Sequence, residues 1–313
     1  MIGGDITYDE NGLLDKTHVR FFSSASAIKM FLDSGWLPHL ADNIMVGPTD
    51  IGLAQGLIAT AGMIGVPQDT AERNFFTYQM IFECTKAPVV EPVSAPPFTV
   101  IVAVNRENQL RANLLHSPGL TEVGAQIVLR AGASSAAEAF ESGLEQALSP
   151  WVMYAHQDVY FPKNSGYALR RLFASIPEPE AADTLIGFAG IGLDDKSRSF
   201  KSGLCIDRVF RFDFPPAERA ISVDEFAVAM HRSTRHRIDR DLGWHLWATD
   251  LCLAAAVNAR PMARIVRIPI FHNSVTGLHV PPEFRSSAER LAAKYPSVPV
   301  IPTLQGDITG PPA

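Results

Sequence analysis

Cysteine is scarce in this chain of 313 residues: Cys84, Cys205 and Cys252 stand far apart, and there is no CxxC. Three scattered thiols cannot all pair, and they fit a reduced, cytoplasmic setting. Long apolar runs are missing too. No window reaches the ~20 uninterrupted apolar residues of a spanning helix, and no charged, apolar leader opens the chain. The richest stretch, Ile51 to Val66, is interrupted by Gly and Ala and lies between Pro48 and Pro67. It predicts a buried helix with no membrane span. Positive charge is sparse: formal net charge is −6. That argues against a nucleic-acid partner, which needs clustered Lys and Arg, although Arg232, Arg235, Arg237 and Arg240 form a local concentration in HRSTRHRIDR. A Ser-His-Asp arrangement, a His-rich cluster and a phosphate loop ending in GK[ST] are also absent.

What is present is globular. Hydrophobic residues make up 47% and charged residues 19%, over a length that accommodates two domains. KAPVVEPVSAPPF, Lys86 to Phe98, has four prolines and no helical period. Proline removes a backbone donor and favours extended linkers. The expected division is 1–87, a Pro-rich linker 88–97, a second domain 98–295 and a Pro/Gly-rich, poorly ordered tail 296–313. In the first part, Ser23 to Gly35 predicts a capped helix, Asp69 to Phe76 a helical turn or two, and Tyr78 to Thr85 a strand. In the second, Phe98 to Val104 is a near-continuous β-branched run, as in a strand covered on both faces. Strands are expected at Trp151–Val159, Thr184–Ile191, Phe226–Met230 and Ile265–Phe271. Helices are expected at Ser134–Leu148, Tyr167–Ile176 and Trp244–Val257. Such alternation predicts an α/β layer fold with a mostly parallel sheet.

Several polar residues stand where apolar ones are expected. In YAHQDVYFP, strand alternation would place His156 and Asp158 on one face and Gln157 on the other. This is either a strand end reaching solvent or a donor pair for a divalent cation. His272 ends an apolar run in IFHNS. Asp250 lies within WHLWATDLCLAAA, where a carboxylate needs a partner or a function. It either pairs with a cation such as Arg240 or Arg264, caps a loop, or acts as a base. His245, five residues earlier, is offset around the helix from Asp250. Asp224 and Glu225 either bind hydroxyls or form a solvated turn. GFAGIG, Gly187 to Gly192, has the wrong spacing for a dinucleotide loop and fits small residues at a strand end. The charged segment from Asp194 to Lys201 reads as a solvated loop or a lid.

Four of these elements carry a resemblance. FTVIVAVNRE, YAHQDVYFP, GWHLWATDLCLAA and IPIFHNSVTG, in this order over about residues 98–280, resemble family 2 glycosyltransferases of GT-A fold. More narrowly, they resemble the branch named after a streptomycin-biosynthesis glycosyltransferase-like protein. The resemblance implies a GT-A-like, Rossmann-type sheet with flanking helices, and a hexosyltransferase-like, inverting enzyme. It would use a nucleotide-sugar donor, a glycan or small-molecule hydroxyl acceptor, and Mn²⁺ or Mg²⁺. It further implies metal binding by Asp158, His156 and His272, donor or acceptor binding by Val104, Asn105, Asp224, Glu225 and His245, and Asp250 as base. The acid that family 2 usually carries after its second strand is not evident in VLRAGASS, Val128 to Ser135, and an Asn often found in the next helix is replaced near Glu141. That leaves room for a non-catalytic nucleotide- or glycan-binding module. GDITYDENGLLDKTHVRFF with SASAIKMFLDSGW and YQMIFECTKAP resembles the C-terminal third of a class I S-adenosylmethionine methyltransferase. The glycine-rich half of such enzymes has no counterpart before Gly4. The expectation is a small α/β methyltransferase-like remnant, a truncation, or part of a split methyltransferase.

Overall fold

A computed structural model describes residues 23–45, 51–63, 68, 77–94, 97–234, 237–257, 263–274 and 280–310. The stretches Gly4–Phe22 and Asp69–Phe76, read above from sequence, lie outside the described residues. The fold is mixed α/β. Its centre is a six-stranded sheet in the order β13-β7-β12-β5-β3-β4, built from β3 (Thr99–Val104), β4 (Gln126–Ala131), β5 (Trp151–Ala155), β7 (Leu185–Gly187), β12 (Ala227–His231) and β13 (Ala263–Ile265). β4, β3 and β5 run parallel, as do β7 and β13, and β12 is antiparallel to both its neighbours. The β3 run is apolar because both its faces are covered. Val100 and Val102 join one core cluster, and Ile101, alternating to the other face, joins the second.

A second sheet has the order β11-β8-β9-β14-β6, with β10 paired to β9 off this path. It comprises β6 (Val159–Tyr160), β8 (Ala189–Leu193), β9 (Ser199–Asp207), β10 (Phe210–Phe214), β11 (Ala220–Val223) and β14 (Phe271–His272). Two segments expected as single strands are therefore divided between sheets. Thr184–Ile191 becomes β7 and β8, and Trp151–Val159 becomes β5 and β6. The glycines of GFAGIG serve packing: a Cβ on Gly190 would lie 2.2 Å from the Ser222 carbonyl.

The expected helices form, two of them with caps that their sequences supply. Ser23 accepts from Ser26 N ahead of Ser24–Asp33, and Ser135 accepts from Glu138 N ahead of Ala136–Leu144. Ser165–Ser175 and Trp247–Val257 follow. Ile51–Met63 is helical, but its described side chains are mostly exposed, with Met63 at 87%, so the expectation of a buried helix fails there. Its 13 residues span about 20 Å, short of the ~30 Å hydrocarbon core. Among the described residues no helix is long and apolar enough to cross a membrane.

In the first part, β1 (Trp36–Met45) and β2 (Thr77–Lys86) form an antiparallel pair. This part packs directly on the second sheet: Ile28, Leu32 and Leu37 share a buried cluster with Tyr160, Leu204, Ile206 and Phe271. Tyr160 donates to Asp33 at 2.7 Å, and Lys29 donates to the Ala112 carbonyl at 2.6 Å. At the other end, the expected disordered tail contains an antiparallel hairpin, β15 (Val300–Thr303) and β16 (Gly306–Thr309), preceded by the helix Pro282–Lys294. Its proline is tolerated because β15 is an edge strand.

Candidate metal and sugar site

The carboxyl ends of β3, β5, β9 and β14 lie together where the chain passes from one sheet to the other. In α/β proteins such ends gather ligands. β5 stops at Ala155, so His156, Gln157 and Asp158 form a turn leading to β6 and not a continuous strand. The turn still separates their side chains as alternation would. His156 and Asp158 join His272, and the potential ligand atoms of the three lie within 4.8 Å of one another. Gln157 turns the other way. Its Oε1 accepts from the backbone N–H of Asn105 (3.1 Å) and Arg106 (2.9 Å), and its Nε2 donates to Asn105 Oδ1. Gln157 thus ties Asn105 and Arg106, which follow Val104 at the end of β3, to the turn bearing the candidate ligands.

His272 is the most constrained member. Its ring stacks on Phe226 with centroids 5.2 Å apart and planes at 18°. Nε2 lies 3.6 Å from Asp158 Oδ1, and Nδ1 lies 3.1 Å from Asp207 Oδ1. Burial opposes a charge on this ring, but the carboxylates of Asp158 and Asp207 outweigh it and push its pKa up to about 10. Burial likewise pushes Asp158 up, yet the charge and hydrogen bonding of His272, with His156, hold it at about 2. His156 responds the other way. Burial lowers its pKa, and the attraction of Asp158 only partly offsets this. With His272 giving up its Nε2 proton as a cation binds, two imidazoles and a carboxylate would form a mixed nitrogen and oxygen donor set suited to Mn²⁺ and less so to Mg²⁺. The residues therefore fit a divalent cation.

Asp224 and Glu225 border this group from the β11–β12 turn. Asp224 is near enough to His156 to act on its charge. Its Oδ1 accepts from Phe226 N (3.2 Å), and its Oδ2 accepts from Gln305 Nε2 (2.9 Å) at the tip of the C-terminal hairpin. Together with Gly190, Ser222 and Thr249, the residues Asp224, Glu225 and Gln305 line a small pocket. Glu225 is pushed well up by burial and by Asp224, against the opposing pull of the N–H groups of Leu246, Trp247 and Ala248 at a helix start. Its Oε1 is enclosed without a hydrogen-bond partner among the described residues. His245 is half-buried, its ring 5.9 Å from Phe284, and burial lowers its pKa.

Asp250 lies apart from this group. It is 2% exposed. Lys294 Nζ donates to it at 2.9 Å, and the Tyr295 hydroxyl donates at 2.8 Å. The partner-seeking carboxylate does meet a cation, but it is Lys294. Arg240 goes to Glu141, and Arg264 faces Glu180 and Glu218. The charged segment after β8 is a short turn in which Asp194 accepts from Arg198, and Lys201 belongs to β9. Sequence reasoning missed Asp207, Gln157 as a tie, and Gln305. Asp207 carried a usable signal: GLCID is an apolar run that ends on a polar residue, as IFH does.

No family model and no curated protein matches the chain. Solved structures of similar fold include the crystal structure of GalNAc-T7 with UDP, GalNAc and Mn²⁺, at 9% identity and TM-score 0.45, covering 81% of this chain and 58% of that one. Another is the mannosyltransferase PcManGT from Pyrobaculum calidifontis in complex with GDP-Man and Mn²⁺, at 12% identity and TM-score 0.39, covering 65% of this chain and 63% of that one. This chain thus spans less than two thirds of the length of either protein.

Proposed function

We propose that the chain is a metal-assisted glycosyltransferase of GT-A type that moves a sugar from a nucleotide-diphosphate donor to a hydroxyl of a glycan or small molecule. The observation carrying this reading is the convergence of His156, Asp158 and His272 at the carboxyl edge of two sheets. Asp158, His156 and His272 would hold the cation. A bound Mn²⁺ or Mg²⁺ supplies Lewis-acid neutralisation of the departing diphosphate. Val104, at the end of β3, and Asn105, in the loop that Gln157 fixes, would face the nucleotide. Asp224, Glu225 and His245 would surround the sugar and the acceptor.

The base requires a reassignment. Asp250 has little access to an incoming hydroxyl, since both its neighbours already donate to it and one is cationic. We assign the role to Asp224, which lines the pocket and whose oxygens accept only from neutral groups, Phe226 N and Gln305 Nε2. Asp224 would take the proton of the acceptor hydroxyl as its oxygen bonds to the anomeric carbon from the face opposite the diphosphate, whose bond to that carbon breaks; this displacement inverts the anomeric centre. A base of this kind contributes roughly 10²–10⁴-fold. The test is turnover of UDP- and GDP-sugars with Mn²⁺ or with a chelator. Asp224→Asn is expected to lose at least about 100-fold in kcat while still binding nucleotide. A binding module without catalysis would show no turnover in the wild type and unchanged affinity in the variant.

A further inference from the structure

We propose that Asp207 is the positioning residue of the metal site, holding the proton of His272 on Nδ1 so that Nε2 is the atom presented to the cation. The inference rests on the metal reading above and adds a residue to it.

The geometry places His272 between two carboxylates. Asp207 Oδ1 lies 3.1 Å from Nδ1, and Asp158 Oδ1 lies 3.6 Å from Nε2. Nε2 is the ring nitrogen toward Asp158, and Nδ1 is taken up by Asp207. A histidine ligand needs one nitrogen free of its proton, and the group on the other nitrogen decides which one that is. Asp207 is the group here.

The backbone fixes this relation before any ligand arrives. β9 and β14 are parallel neighbours, and Asp207 is the residue paired with His272 in their register. Directly beyond it, Arg208 N donates to the His272 carbonyl at 2.9 Å, which closes the pair. Arg208 adopts a left-handed backbone, φ 56°. This conformation is uncommon for a residue with a side chain, and here it accompanies the return of that side chain onto its own neighbour. Its Nε and Nη2 donate to Asp207 Oδ2 at 3.1 and 2.9 Å. The two oxygens of Asp207 are therefore divided, one to Arg208 and one to His272. Phe226 covers the ring face and limits its tilt. Arg208, Asp207 and His272 thus form a chain that sets one ring nitrogen toward the ligand cluster.

A purely structural ion pair would use the same contacts, so the test must read the metal. Isothermal titration of Mn²⁺ into the full chain is compared for wild type, Asp158→Asn, Asp207→Ala, Asp207→Asn and Asp207→Glu, with thermal unfolding of each metal-free protein alongside. Loss of a supporting residue typically weakens metal affinity by about 10–100-fold. Asp207→Ala is expected to fall in that range. Asp207→Asn retains an acceptor of the same shape and is expected to lose less, and Asp207→Glu to recover part of the affinity. Asp207→Asn also keeps the question open to refutation if the alanine variant does not fold. Nitrogen-15 spectra of the ring are expected to show the proton on Nδ1 in Mg²⁺-loaded wild type and mixed tautomers in Asp207→Ala. Mn²⁺ binding that is lost in Asp158→Asn but unchanged within twofold in both Asp207→Ala and Asp207→Asn would overturn the role of Asp207 and leave the metal site standing. Absence of Mn²⁺ binding by wild type, or equal binding by Asp158→Asn, would overturn the site itself and this inference with it.

Discussion

Lys294→Met is expected to destabilise the protein by about 3 kcal/mol, the low end of what stranding a buried carboxylate costs. The Asp250 side chain is 3% exposed, and Lys294 is its only cationic neighbour among the described residues. Methionine keeps the apolar stem of the lysine and removes the charge. Among the described residues, Tyr295 alone then remains to donate to a carboxylate with almost no access to water. Lys294 is itself 41% exposed, so some water can follow the lost ammonium. That is why the low end of the range applies. The urea midpoint is expected to fall with an unchanged slope. Asp250→Asn is milder, because Lys294 keeps Asp239 at 2.6 Å; a loss of about 1–2 kcal/mol is expected, with turnover retained in the folded protein. Normal stability with turnover down more than about 100-fold would instead restore Asp250 as the base.

Asp158→Asn is expected to act on ligand binding and not on folding alone. Asp158 supplies the only carboxylate of the three candidate ligands. The amide keeps the shape but removes the charge that draws the cation and partly neutralises it. The loss of Mn²⁺ affinity should exceed the ~10–100-fold typical of a supporting residue. Metal-dependent nucleotide binding should vanish with it. The main-chain bond from Asn273 N to the Asp158 carbonyl, 2.9 Å, is untouched by the substitution, so the turn is expected to persist. Circular dichroism that matches wild type, with Mn²⁺ binding lost, is the expected pair of results. Wild-type affinity in this variant would show that Asp158 is not a ligand.

Where the sequence spoke clearly, the reason is local. FTVIVAV is legible as a central strand because burial on both faces leaves Thr99 as its single polar residue. Ser23 and Ser135 mark helix starts because the cap is made within three residues. His156 and Asp158 were brought together on the assumption of a strand, and they do meet, but through a turn that crosses between sheets. β9 and β10 were not legible. SFKSGLCID and FRFDF mix Lys, Arg and Phe, since β10 lies off the main path of the second sheet and its side chains are exposed or half-buried. The proline-rich end disguised an edge hairpin whose main chain is anchored elsewhere, by Ser222 donating to the Pro302 carbonyl at 2.7 Å.

The site was half legible for a related reason. Its ligands sit at the ends of apolar runs, which a sequence displays. The groups that orient them, Asp207 on His272 and Gln157 on the Asn105 loop, act across sheet neighbours that no local pattern announces. Asp250 shows the converse. A carboxylate in an apolar helix does need a partner, but Lys294 lies on the helix Pro282–Lys294, which was not foreseen. Its residues PEFRSSAERLAAK place only Ser287, Leu291 and Ala292 in the interior, a narrow stripe with little apolar signal.

The central claim is that nucleotide and cation bind together at His156, Asp158 and His272. Calorimetric titration of UDP and of GDP into the wild-type chain, once with Mn²⁺ and once with a chelator, tests it most directly. The account predicts that at least one nucleotide binds with Mn²⁺ and that this binding disappears with the chelator. Binding of equal strength in both conditions, or of neither nucleotide in the presence of Mn²⁺, would contradict it.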